Sequence, residues 1–106
     1  MKTYLKILKY GDNEMVHKYV YPTEEERRKL LNSVNEPYER FIREDERHKL
    51  TAIGKISAWK WEQEGRFPKR IKLGATSNAW RLSEVLHWMQ DPPVRDLSKN
   101  KQPTVN

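Results

Sequence analysis

The first 21 residues alternate between two runs of largely apolar residues and one short polar interruption. The runs cover residues 4–10 and 15–21, and both are rich in the aromatic and β-branched side chains that strands favour. Between them lies Gly-Asp-Asn-Glu, at 11–14, which has the composition of a turn. The pattern predicts a β-hairpin that ends before Pro22.

A helical pattern follows the hairpin. Thr23 and Glu26 have the spacing of a capping box, so a helix is expected from Glu24 to about Ser33. The apolar residues available for packing are Leu30, Leu31 and Val34. A second, short helix is predicted to begin near Pro37, because proline suits the first position of a helix.

The second half of the chain shows the order helix, turn, helix, β-hairpin, helix. The helices are expected at 44–51, 55–64 and 84–90, and the strands of the hairpin at 70–73 and 78–81. Gly65 stands where a left-handed backbone ends the second helix, and Ser83 is expected to cap the last one. This order is typical of a winged helix-turn-helix, whose second helix usually enters the DNA major groove.

The predicted fold class is therefore α+β, a small winged helix-turn-helix with an N-terminal extension of β-hairpin and helix. A length of 106 residues suits one such domain. The extension is expected at 1–40 and the winged domain at 41–91. The segment 92–106 has almost no apolar content from Val94 onwards and is predicted to be a disordered tail.

The second of these helices has two different faces when its residues are placed at 100° intervals. The face expected to pack on the core holds Ser57, Ala58 and Trp61. The face expected to point outward holds Lys55, Ile56, Trp59, Lys60 and Gln63. In a DNA groove Ile56 could lie against a thymine methyl, and the lysines could reach guanine edges or phosphate. Trp59 could instead pack on the N-terminal hairpin or on a dimer partner.

The net charge of +6 is concentrated in one window. Residues 47–81 hold nine Lys or Arg and two Asp or Glu, a net +7, whereas 1–46 carry −1 and 82–106 carry zero. A focused positive charge is the electrostatic footprint of a protein that binds a phosphate backbone. In the hairpin of this window, Trp80 is expected to be buried with Ile71 and Leu73.

The sequence therefore predicts that double-stranded DNA is the partner and that this window holds the binding residues. The predicted DNA-binding residues are Lys55, Ile56, Ser57, Trp59, Lys60, Gln63, Arg66, Lys69, Arg70, Lys72, Ser77, Asn78 and Arg81.

The same half of the chain resembles a known family. The run Gly-Arg-Phe-Pro-Lys-Arg-Ile-Lys-Leu-Gly at 65–74 is followed by Ala79-Trp80, by Ser-Glu-Val at 83–85 and by Trp88. Together with the upstream Leu-Thr-Ala-Ile-Gly-Lys at 50–55, this pattern is similar to the AlpA family of phage and genomic-island regulators. The resemblance covers about residues 41–91.

The resemblance implies a winged helix of the MerR and excisionase type. It also implies one of two uses of DNA binding, as an excision factor (a recombination directionality factor) or as a transcriptional regulator of an integrase gene. The implied DNA is then a set of attachment-site repeats or a promoter. A tyrosine-type integrase and self-association on DNA are further partners that the resemblance allows.

Other classes of function find less support in the residues. There is no cysteine, the three histidines lack metal-ligand spacing, and no phosphate loop or nucleophile motif is present, so no catalytic residue, metal or cofactor is expected. No apolar run is long enough for a membrane span and no secretory signal opens the chain, which favours a cytoplasmic protein.

A protein-interaction module remains an alternative, with the N-terminal hairpin recruiting integrase or forming a dimer. Its candidate surface carries Tyr4, Tyr10, Tyr19 and Tyr21. RNA binding ranks lower, because RNA-stacking aromatics usually lie on a sheet.

Overall fold

A computed structural model describes residues 7–10 and 14–96 of the chain. The helices are α1 (Glu24–Ser33), α2 (Glu44–Thr51), α3 (Lys55–Gln63) and α4 (Leu82–Gln90). The strands are β1 (Ile7–Tyr10), β2 (Glu14–His17), β3 (Phe41–Ile42), β4 (Ile71–Lys72), β5 (Asn78–Arg81) and β6 (Arg95–Asp96). The protein is α+β, as predicted.

The strands form two small antiparallel sheets, ordered β1-β2-β6 and β3-β5-β4. The pairing of β1 with β2 confirms the N-terminal hairpin, although β2 ends at His17 and does not continue to residue 21. Two residues of the tail predicted to be disordered, Arg95 and Asp96, instead pair with β2. The predicted turn residues 11–13, the chain start at 1–6 and the rest of the tail at 97–106 lie outside the described residues.

Helix α1 begins with the predicted capping box. The Thr23 hydroxyl accepts a hydrogen bond from the Glu26 amide at 3.1 Å, and the Glu26 carboxylate accepts from the Thr23 amide at 2.9 Å. Leu30 and Leu31 are the buried residues of this helix, and α1 packs against α4.

Replacing Thr23 with alanine is expected to lower the free energy of unfolding by about 1 kcal/mol, as measured by urea unfolding.

The reciprocal bond from the Thr23 amide lowers the pKa of Glu26 below its usual 4.5. A carboxyl with a lowered folded-state pKa stabilises above its unfolded pKa and loses this contribution as the pH falls through the folded value. Glu26→Gln should therefore cost more at about pH 7 than at about pH 3. A cost that grows towards acid would contradict this.

The short helix predicted near Pro37 is wrong. Helix α1 ends at Ser33; Asn35, two residues later, has a left-handed φ of 61°, and the chain then continues to β3. Its partners are far away in sequence: Ile42 pairs with Trp80 in β5, and the Arg40 carbonyl accepts from the Leu82 amide at 2.9 Å. These long-range bonds hold residues 40–42 as extended chain, so no helix forms from Pro37.

The predicted cap of α4 by Ser83 is also wrong. Strand β5 continues directly into α4, so the helix begins at Leu82 and Ser83 lies inside it. The carboxylate of Glu39 accepts hydrogen bonds from the amide and the hydroxyl of Ser83, at 3.0 and 2.6 Å. An acidic group at this end also suits the helix dipole. Glu39, 44 positions upstream, therefore takes over the role of the missing local cap.

The core lies between α1, α2, α3, α4 and the β3-β5-β4 sheet. Its buried hydrophobic residues are Leu31, Ile42, Ala58, Phe67, Trp80, Leu82, Val85 and Trp88. Trp80 is 1% exposed, as predicted, and Ile71, which pairs with Ala79 across the hairpin, is half-buried. Leu73 is 48% exposed, so its predicted burial is wrong, because β4 ends at Lys72 and the chain has entered the turn.

Candidate nucleic-acid interface

The turn between α2 and α3 sets the start of α3. Ala52 ends α2 with a left-handed φ of 62°, and Gly54 precedes the first residue of α3 in an extended conformation. No side chain caps α3, and its first turn holds no acidic residue. Its first amides and Lys55 therefore give this end of the helix a positive potential.

Arg47 holds this turn from inside and is fully buried. Its Nη1 donates to the Ile53 carbonyl at 2.7 Å and to the Thr51 hydroxyl at 3.1 Å, while Nε and Nη2 pair with Glu44. The guanidinium also lies 5.5 Å from the centre of the Trp80 ring. Arg47 thus joins α2, the turn and β5. In the sequence only the Glu44–Arg47 spacing hinted at this role.

The two faces predicted for α3 are confirmed. Ala58 is fully buried and Trp61 is half-buried against the core. The outward residues are all exposed: Lys55, Ile56, Trp59, Lys60 and Gln63. Ser57, which was included among the predicted DNA-binding residues, is half-buried.

Glu62 joins α3 to the β4–β5 hairpin. Its side chain is 1% exposed and accepts hydrogen bonds from Arg70 Nε at 2.9 Å, Arg70 Nη2 at 3.2 Å and Trp80 Nε1 at 3.2 Å. Arg70 was predicted to face outward, but its guanidinium is paired with Glu62 and stacks over Trp80 at 5.1 Å. The structure therefore gives Arg70 a positioning role between helix and hairpin.

Arg66 is a second predicted binding residue that lies largely inside. Its side chain is 11% exposed, pairs with Glu64 at 2.6 Å and stacks 4.9 Å from the centre of the Trp61 ring. Its backbone carbonyl accepts from Trp88 Nε1 at 2.8 Å. These contacts fix the chain between α3 and the hairpin.

The cationic surface that remains comes from nine Lys and Arg residues at 47–81, of which Arg47, Arg66 and Arg70 are paired internally. The other six are exposed and form no ion pair within the part of the chain that the structure describes: Lys49, Lys55, Lys60, Lys69, Lys72 and Arg81. Both acids of the window, Glu62 and Glu64, have side chains that are 1% and 7% exposed. The window therefore presents cations to solvent while its carboxylates face inward.

The hairpin contributes three of these cations. Lys69 precedes β4, Lys72 ends it, and Arg81 ends β5, where its guanidinium lies 5.8 Å from the centre of the Phe41 ring. The predicted binding residues Ser77 and Asn78 are half-buried, and Asn78 pairs with Lys72 across the hairpin. Of the seven predicted DNA-binding cations, the structure thus exposes five on α3 and the hairpin. The other two, Arg66 and Arg70, are paired with glutamates inside the protein.

The segment after β2 packs on this half of the molecule. The Tyr19 amide donates to the Gly65 carbonyl at 2.7 Å, and its hydroxyl lies 3.1 Å from the Glu84 carbonyl and 3.0 Å from His87 Nδ1. Burial raises the pKa of Tyr19 and lowers that of His87. The Tyr21 hydroxyl accepts from the Lys69 amide at 2.9 Å. Two of the four tyrosines proposed as an interaction surface thus hold the hairpin and α4 in place, and Tyr4 lies outside the described residues.

The described residues hold no group of three His, Cys, Asp or Glu side chains arranged for a metal ion. Within the same residues, no helix has the length and hydrophobicity needed to cross a membrane.

These features define a small α+β protein with a helix and a hairpin that present exposed cations. Comparison with known proteins identifies its relatives. The model of the family described as prophage CP4-57 regulatory protein (AlpA) matches residues 40–92, and the chain belongs to this family. The protein ORF88 of Enterobacteria phage P4 is 35% identical over 51 residues, which cover 48% of this chain and 58% of that relative. No solved structure matches the chain.

Proposed function

We propose that residues 41–91 form a winged helix-turn-helix that binds double-stranded DNA in a sequence-specific manner. In this proposal α3 is the recognition helix and the β4–β5 hairpin is the wing. The observation that carries it is the set of six exposed cations that form no ion pair within the described residues, in a window whose acids are buried. Such a surface attracts a phosphate backbone.

The proposed contacts divide by depth. Lys55, Ile56, Trp59, Lys60 and Gln63 lie on the exposed face of α3 and would reach base edges. Lys69, Lys72 and Arg81 lie on the hairpin and would bind phosphates. Ser57, Ser77 and Asn78, which are half-buried, would contribute hydrogen bonds at the margin.

The family's description as a prophage regulatory protein supports a role in a mobile element. We propose that the protein acts as an excision factor or as a regulator of an integrase gene, on attachment-site repeats or on a promoter. A tyrosine-type integrase and a second copy of the chain on DNA are the protein partners in this proposal. The regulatory description of the family also favours a non-enzymatic role.

An integrase recombination assay, with and without the protein, separates the two roles. An excision factor should raise the yield of excised product at constant integrase concentration. No effect on excision, together with altered activity of the integrase promoter, would leave the regulator. No effect in either assay would contradict both roles.

Lys60→Ala is expected to weaken binding to a duplex that the protein selects from a random-sequence library by about 1–3 kcal/mol, as measured by fluorescence anisotropy. Lys29→Ala is the matched control, because Lys29 is also exposed but lies on α1. A loss confined to one sequence would mark a base contact at Lys60, and a loss uniform across sequences would mark a phosphate contact. Equal effects of the two variants would contradict the assignment of α3 as the binding helix.

A further inference from the structure

Two large apolar side chains stand on the exposed face of α3. Ile56 is 79% exposed and Trp59 is 53% exposed. They are three positions apart, so their Cβ atoms are neighbours on the helix surface, about 5–6 Å from each other. Apolar area left in water contributes nothing to stability, and an adjacent pair of this size is a good candidate for burial against a partner.

Lysines flank the pair on both sides. Lys55 lies four positions before Trp59, and Lys60 lies four positions after Ile56, so each apolar side chain has a cationic neighbour. Both lysines are exposed and form no ion pair with any residue that the structure describes. The same face of a second copy would bring like charges together, whereas a phosphate backbone would attract them. Charge therefore favours a DNA groove as the surface that covers the pair.

We infer that Ile56 recognises the 5-methyl group of a thymine in the major groove, with Trp59 shielding that contact from water. This inference rests on the DNA binding proposed above and names what α3 reads. The methyl of thymine is the one apolar group that the four bases present in the major groove. Ile56 is the second residue of α3, and recognition helices contact base edges through their N-terminal residues.

The test uses a duplex that the protein itself selects from a random-sequence library. Each thymine of this duplex is replaced in turn by deoxyuridine, which lacks the methyl and keeps every hydrogen-bonding group. At one thymine the affinity should fall about 3- to 10-fold, the effect of losing one buried methyl contact. Ile56→Ala should bind the thymine and uracil duplexes with the same affinity. Leu73→Ala, a change at an exposed apolar residue of the hairpin, should retain the difference.

The outcomes separate this inference from the proposal on which it rests. If no sequence is enriched and binding does not depend on salt, the DNA-binding proposal itself fails. If the duplex binds with a normal salt dependence but no thymine differs from uracil, or Ile56→Ala keeps the difference, the methyl contact alone is overturned. If Ile56→Ala abolishes self-association in analytical ultracentrifugation and leaves uracil discrimination unchanged, the pair serves a protein interface and the inference is overturned.

Discussion

Replacing Arg47 with methionine should lower the free energy of unfolding by about 3 kcal/mol. The side chain is fully buried, and its Nη1 is the hydrogen-bond donor to the Ile53 carbonyl. Methionine fills most of the space but leaves that carbonyl and the Thr51 hydroxyl without this donor. It also removes the cation that lies over Trp80, a contact that is stronger when water is excluded.

Urea unfolding followed by circular dichroism measures the effect, with Arg40→Met as the matched control. Arg40, like Arg47, forms ion pairs, in its case with Glu36 and Glu46, but its side chain is 41% exposed. Exposed ion pairs contribute about 0–1 kcal/mol, so the control should change stability little. Arg47→Lys keeps the charge without the planar fork and should fall between the two. Equal costs for Arg47→Met and Arg40→Met would contradict the role given to the buried arginine.

Replacing Glu62 with alanine is expected to lower the free energy of unfolding by about 3 kcal/mol. The carboxylate is buried and is the acceptor for both the Arg70 guanidinium and Trp80 Nε1. Its removal leaves a largely buried cation unpaired and an indole N–H without this acceptor. Because Glu62 joins α3 to the hairpin, the variant should also bind DNA more weakly, although its net charge rises by one.

A double-mutant cycle with Arg70→Ala isolates the ion pair. In the Arg70→Ala background no cation is left unpaired, so the cost of Glu62→Ala should shrink by at least about 1 kcal/mol. Strict additivity of the two changes would show that the pair contributes nothing. Tighter binding of Glu62→Ala to the selected DNA would show that charge alone, without the orientation of the hairpin, governs affinity.

The elements that local spacing determines were predictable from the sequence. The capping box of Thr23 and Glu26 fixes the start of α1, and the positions of Ala58 and Trp61 distinguish the core face of α3. Both signals act within one or two helical turns, so no knowledge of the fold is needed to read them.

The residues whose surroundings were predicted wrongly are those that bind partners from other elements. Charge composition treats every arginine as exposed, whereas Arg70 is held by Glu62 on the preceding helix. Such pairing becomes visible only when helix and hairpin are packed together. The same reason explains the cap of α4, where a carboxylate 44 positions upstream displaces the local candidate, Ser83.

The charge window shows both what the sequence reveals and what it lacks. Its net +7 correctly marks the cationic region, and five of its predicted cations are exposed on α3 and the hairpin. It cannot distinguish a cation that is available to a partner from one that is used to build the fold. Packing makes that distinction, because a buried charge requires a partner and an exposed one does not.

The salt dependence of DNA binding tests whether these exposed cations form the binding surface. Fluorescence anisotropy of a labelled duplex gives the dissociation constant at several salt concentrations. Each phosphate neutralised adds about −0.9 to the slope of log K against log salt, so four or five contacts predict a slope of about −4. The double variant Lys69→Ala/Lys72→Ala should reduce its magnitude by about 2. A slope near zero, or one that this variant leaves unchanged, would contradict DNA binding by α3 and the hairpin.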